Sequence, residues 1–228
     1  MNKRQWFAST DPEVLLRFLK DRAGERKLRL FAVACGRRFW SHLFRDASCL
    51  RAVETAERFA DGGATVRECR IARATTGGPG EAEHYGPLFL LRELARAAVK
   101  SDAYGAALDA ARRAIDVAGT IGTAPVAESN GGTDRAAQQR ERVHQIASLR
   151  CIFGNPFRPT SVEPDWLTSD VLALARGIDT ERAFERAPIL ADALQDAGCT
   201  NEDLLKHLRC DTEHVRGCWA LDLVPARG

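Results

Sequence analysis

The chain has 228 residues, 45% of them hydrophobic and 28% charged, with a formal net charge of +2. That composition excludes a disordered polymer and supplies apolar side chains for one large or two small cores. No apolar run approaches the roughly 18 residues of a membrane span. Residues 1–6 lead into charged, helix-like sequence without an apolar signal core, so a cytoplasmic protein with no membrane partner is expected.

Residues 1–8 read as a first helix, stopped by Ser9-Thr10-Asp11-Pro12. Thr10 with Glu13 makes a capping-box pattern for a helix over 11–21, with Val14, Leu15, Phe18 and Leu19 at helical spacing. From Glu25 the stripe Leu28, Phe31, Ala32, Cys35, Phe39 and Leu43 predicts one long central helix to about residue 44. Gly36 in its middle marks a place where another helix crosses closely. A third helix opens at Asp46 or Ser48 and stops at Asp61-Gly62-Gly63; Thr65 with Glu68 caps a fourth, through Ala74. Glycine and proline break the pattern over 76–86. Residues 88–100 and 102–118 then form two helices rich in alanine and leucine, suited to close antiparallel packing. Residues 119–133 read as a loop, 134–152 as a helix, and 153–166 as an extended connector of prolines and aromatics. Thr168 caps a helix to 176, Pro188 starts one that ends at Gly198, Thr200 with Asp203 caps 204–209, and 214–223 is a last short helix. No alternating strand occurs in the pattern. The fold class is therefore all-α, roughly ten helices, as an irregular multi-helix bundle or a short α-solenoid-like array.

Charge is unevenly spread. Residues 1–75 carry 16 Lys+Arg against 9 Asp+Glu, whereas 159–228 carry 7 against 13. The sequence thus reads as a basic N-terminal part (1–75), a helical hairpin region with flexible loops (76–152) and an acidic C-terminal part (153–228), within one continuous domain. Arg67, Arg70 and Arg73 recur along one helix, and Arg37-Arg38 stand beside Phe39-Trp40, a pattern that phosphate contacts require. Acidic residues interleave with them, so a solvated helix surface is the competing reading.

Stretches 27–35 with Arg37-Arg38, 51–54 with Ala56-Glu57-Arg58, 153–159, 189–194 with Ala197-Gly198-Cys199, and 214–219 resemble a paralogous family of planctomycete proteins. The likeness covers both ends of the chain and least of the middle, about 76–133. That family has no assigned activity, so the resemblance implies an ordered bacterial fold and transfers no catalytic residue or cofactor. Relatives often place a cysteine directly after the residue matching His207; here Leu208 stands there and Cys210 follows.

Seven cysteines, an odd number without a signal peptide, argue against a disulfide framework. Cys35, Cys49, Cys69 and Cys151 fall in apolar helical patterns and read as reduced, buried thiols. Cys199, His207, Cys210, His214 and Cys218 are the candidate metal ligands. His207 and Cys210 are three apart, and His214 and Cys218 four apart, so on helices each pair shares a face. The spacing matches no standard finger and contains no CxxC knuckle. The favoured reading is accordingly a cofactor-free cluster of hydrogen-bonded thiols and histidines, with zinc as the alternative. Glu81, Glu83 and His84 read as a solvated charge cluster. No phosphate loop, nucleophile elbow or HExxH motif is present. In the connector, Phe157, Arg158 and Trp166 are candidates for a docking ridge, set against aromatics that merely seal the bundle. The function expected is a non-enzymatic intracellular interaction or adapter module with a protein partner; the alternatives are a structural zinc module and a nucleic-acid binder using the basic part.

Overall fold

A computed structural model describes residues 1–43, 46–77, 86–121, 133–158 and 160–224. The described residues contain only helices and connecting turns, with no strand among them, so the protein is all-α. No helix among them is long and apolar enough to cross a membrane. The stretches 76–86 and 119–133, expected as loops, lie largely outside the described residues, as does the Glu81, Glu83, His84 cluster.

The chain divides into two compact units, one of residues 5–146 with Met1 and one of residues 2–4 with 147 onward. The first unit takes all of α1 (Lys3–Ala8) except Lys3 and Arg4, and then α2 (Pro12–Leu19). The N-cap of α2 is Asp11, not the expected Thr10; its carboxylate accepts the Glu13 N–H at 2.9 Å. Pro12 is the reason. A proline at the first helical position forces the residue before it into extended backbone, which is the N-cap conformation.

The long central helix expected over 25–44 is in fact two, α3 (Glu25–Arg37) and α4 (Trp40–Leu43). The chain turns where Phe39 N–H donates to Gly36 O, and Phe39 and Leu43 enter the core from the new direction. Gly36 does lie at a close crossing: a methyl group there would stand 3.0 Å from Val53 Cγ2 of α5 (Ala47–Ala60). Asp46 caps α5, and α6 (Val66–Thr75) opens with the expected capping box, Thr65 N–H donating to Glu68 at 2.7 Å and Glu68 N–H to Thr65 Oγ1 at 3.2 Å.

Helices α7 (Pro87–Ala98) and α8 (Ala103–Ile121) pack against each other, and α8 also against α2 and α3. The buried face of α8 is Ala103, Ala106, Ala107, Ala110, Ala111 and Ala114, small side chains that let neighbouring backbones approach closely. Trp6, Leu15, Leu16, Phe31 and Leu94 fill the remaining space and are fully buried.

Helix α9 (Arg135–Phe153) contributes its first part to this unit, where Glu141 meets Arg38 at 2.9 Å and Gln145 donates to Ala111 O. Residues 147–153 of α9 belong to the second unit.

That second unit continues through α10 (Ser169–Glu181, capped by Thr168), α11 (Ala187–Asp196), α12 (Glu202–Leu208) and α13 (Trp219–Leu223). Asn201 rather than Thr200 caps α12, accepting the Leu204 N–H at 3.1 Å. The core of the unit is a cluster of short aliphatic side chains, among them Val171, Ile178, Leu190, Leu194, Leu204, Leu208 and Val224. The helix expected over 214–223 begins only at Trp219, because Gly217 has φ +84°. That residue sits third in the turn Val215-Arg216-Gly217-Cys218, closed by Cys218 N–H donating to Val215 O at 3.0 Å, and a turn with this backbone demands glycine.

Candidate metal centre

Three separate segments of the second unit converge on one point. Cys151 comes from the last turn of α9, His207 from the last turn of α12, and His214 and Cys218 flank the glycine turn that leads into α13. Each of the four offers one ligand atom, and all four atoms lie within 4.8 Å of one another. His207 Nε2 is 3.2 Å from Cys218 Sγ, and His214 Nδ1 is 3.6 Å from Cys218 Sγ and 3.7 Å from Cys151 Sγ. In a tetrahedral zinc site, with Zn–S about 2.3 Å and Zn–N about 2.05 Å, sulfur and nitrogen ligands stand about 3.5 Å apart. The three observed separations straddle that value.

The setting suits a closed site. Cys151, His214 and Cys218 are buried and His207 is half-buried. Burial opposes a charge on Cys218, but hydrogen bonds with Cys151, His207 and His214 outweigh it and hold this thiol well below the usual range. Cys151 is driven the other way, first by its hydrogen bond to Cys218 and then by burial, although the Val215 N–H also points at its sulfur. The two sulfurs are thus driven in opposite directions, with Cys218 the one whose surroundings favour a thiolate.

Neighbouring groups fix the ligands. The His207 ring lies tilted against Trp219, centroids 5.0 Å apart, and meets His214 edge-on at 4.9 Å. Gly154, with φ +60°, ends α9 and lies directly under the Trp219 indole, where a methyl group would stand 2.9 Å from Cγ. Arg216 within the turn reaches Asp179 of α10 at 3.4 Å. His214 presents Nδ1 to the two buried thiols and Nε2 to Cys210 Sγ at 3.9 Å, so Cys210 stands behind a ligand rather than among the ligands.

Of the five candidates from sequence, the structure therefore brings together His207, His214 and Cys218. Cys210 is half-exposed with its sulfur 2.8 Å from Thr212 Oγ1, and Cys199 is buried in the aliphatic core, outside the donor set. The fourth donor, Cys151, lies in an apolar helical pattern where sequence alone shows an ordinary buried thiol. Its spacing from His207 is 56 residues, and no local pattern signals a partner so far along the chain.

The remaining candidates are dispersed. Arg37 pairs with Glu57 at 2.6 Å and lies over the Trp40 ring, and Arg38 pairs with Glu141, so both guanidinium groups serve internal ion pairs. Arg67 and Arg70 are exposed on α6 and Arg73 is half-buried there. Phe157 is exposed, Arg158 lies 3.6 Å from Asp203, and Trp166 packs onto the aliphatic core of the second unit. Of the two connector aromatics put forward for docking, then, one seals the core and the other faces outward. Comparison with known protein families, with characterised proteins and with solved structures finds no match.

Proposed function

We propose that the protein is a non-catalytic helical interaction module whose C-terminal unit is closed by a structural zinc ion on Cys151, His207, His214 and Cys218. The observation that carries this reading is the convergence of two thiols and two imidazoles, from three separated segments, to within 4.8 Å. Two soft sulfurs and two imidazoles at tetrahedral spacing suit zinc better than calcium or magnesium, which prefer oxygen. Four protein ligands leave no open position for a water or substrate, which is the hallmark of a structural rather than a catalytic site. Spacing alone favours a metal-free cluster; Cys151, invisible to spacing, completes the ligand set and reverses that preference.

The test is metal content. The full chain, purified without added chelator, should hold one equivalent of zinc by inductively coupled plasma mass spectrometry, and cobalt in its place should give the visible bands of a tetrahedral site with thiolate ligands. Cys151→Ser should lose the metal, whereas Cys199→Ser should keep it. A well-folded chain with less than a tenth of an equivalent, indifferent to zinc on refolding, would overturn the reading.

A further inference from the structure

We propose that this zinc centre is also an oxidant-sensitive staple, in which hydrogen peroxide joins Cys151 to Cys218 as a disulfide and releases the ion. The proposal rests on the zinc reading above. Three thiols touch the His214 ring, but they do so on different edges. Cys151 and Cys218 both lie on the Nδ1 side, at 3.7 and 3.6 Å, with their sulfurs within 4.8 Å of each other. Cys210 lies at the Nε2 side, 3.9 Å away, with the imidazole ring standing between it and the other two. The geometry therefore selects one pair. The other four cysteines, Cys35, Cys49, Cys69 and Cys199, are buried away from the centre and contribute no sulfur to it.

The step balances without any further reactant. One zinc-bound thiolate attacks peroxide; an S–O bond forms, the O–O bond breaks and hydroxide leaves. The second thiolate attacks that sulfur, forming the S–S bond and expelling a second hydroxide. Two protons from solvent complete two water molecules. Two sulfurs lose one electron each and the peroxide gains both. Of the four donors, His207 is the one that is only half-buried, so it forms the most exposed edge of the centre.

Loss of the metal follows from the ligand count. Cys151 and Cys218 supply the only two anionic donors of the set, and a disulfide sulfur is a poor ligand for zinc. Two neutral imidazoles then remain, too few to retain the ion. The disulfide still links the end of α9 to the entrance of α13, so oxidation replaces that part of the metal's cross-link and releases only His207 of α12.

Zinc content of the purified full chain is measured first, and hydrogen peroxide is then titrated in at neutral pH with a chromogenic zinc indicator present. The expected result is one zinc released per peroxide consumed, a Cys151–Cys218 disulfide by peptide mapping, and a melting temperature above that of the reduced, zinc-free chain. Thiol reductant with added zinc should restore the starting state, and Cys210→Ser should behave as the unaltered chain. Zinc retained after complete consumption of peroxide overturns this proposal and leaves the zinc reading standing. So does release accompanied by a disulfide to Cys210 or by sulfinic acid. A chain that binds no zinc in the first measurement overturns both.

Discussion

Gly154→Ala tests how the proposed metal centre is held. Gly154 closes α9 with φ +60°, a conformation that costs a residue bearing Cβ about 1–2 kcal/mol. The added methyl would also meet three Trp219 ring atoms between 2.9 and 3.1 Å, and the indole is in contact with the His207 ring as well, centroids 5.0 Å apart. Forcing such an overlap typically costs about 1–3 kcal/mol, so the substitution should destabilise the chain by about 2–5 kcal/mol in total. That is a large share of the roughly 5–15 kcal/mol that holds a domain folded. Gly154 is three residues from Cys151, and Trp219 adjoins Cys218, so the same strain displaces two ligands and should weaken zinc binding as well. Gly177, inside α10, makes the control: nothing lies within 4 Å of its added methyl, and its φ is not positive. Gly177→Ala should therefore stabilise the same unit, by about 0.5–1 kcal/mol. Urea unfolding of the zinc-loaded proteins, followed by far-UV circular dichroism, reads both effects. A Gly154→Ala protein within about 0.5 kcal/mol of the unaltered chain would refute the packing argument.

Asp46 should govern part of the acid response of the first unit. Burial works against its charge, yet the Ser48 hydroxyl, Arg92 and the Ser48 N–H outweigh burial and hold the carboxyl at about 2. A folded-state value below the unfolded one means stability that is present above about pH 4 and lost as pH falls through about 2, amounting to about 2 kcal/mol; Asp46→Asn should remove that component from an acid-unfolding profile. Thr65→Ala deletes one arm of the α6 capping box and should cost about 1 kcal/mol, measured by thermal unfolding. Gly36→Val should cost about 1–3 kcal/mol, since Val53 already stands 3.0 Å from the site of the new Cβ; a neutral result would mean that α3 and α5 can separate without penalty.

The helical character of the chain was legible because its apolar residues recur at helical period, and so was Thr65 with Glu68, because that cap is closed by two residues three apart. The two misplaced caps share a cause. At Thr10-Asp11 and at Thr200-Asn201 a threonine precedes a second residue able to cap, and backbone conformation decides between them. At the first, Pro12 imposes the extended state on Asp11; at the second, the Asn201 side chain reaches the Leu204 N–H. The division of the supposed helix over 25–44 was beyond any periodicity argument. The stripe from Leu28 to Leu43 continues across the break, since Phe39 and Leu43 remain buried after the chain has turned. The centre was half legible for a related reason. His207, His214 and Cys218 fall close together in sequence, and the αL glycine that aligns two of them is itself visible. Cys151 belongs to a helix whose buried residues include Ile146, Leu149 and Ile152, and among these a thiol looks like one more small hydrophobe.

The position of this cluster agrees with where the fold is short of other support. The first unit rests on helices such as α3, α5, α7 and α8, of 13, 14, 12 and 19 residues, which bury long continuous faces against one another. In the second unit α12 has 7 residues and α13 only 5, below the length at which a helix persists without strong tertiary contacts. The turn between them places His214 and Cys218 on ten residues of irregular backbone. A hydrophobic core of this size alone confers modest stability, and small units commonly add a metal or a covalent link. The proposed zinc ion on Cys151, His207, His214 and Cys218 would tie the two shortest helices of the unit, α12 and α13, to the end of the long helix α9. Zinc binding would then be coupled to the folding of this unit. Removing the ion from the reduced chain should consequently loosen α12 and α13 first, seen as amide hydrogen exchange that quickens over 202–224 while α3, α5 and α8 keep their protection. Equal loss of protection in both units would show that the metal supports the whole chain and not this one end of it.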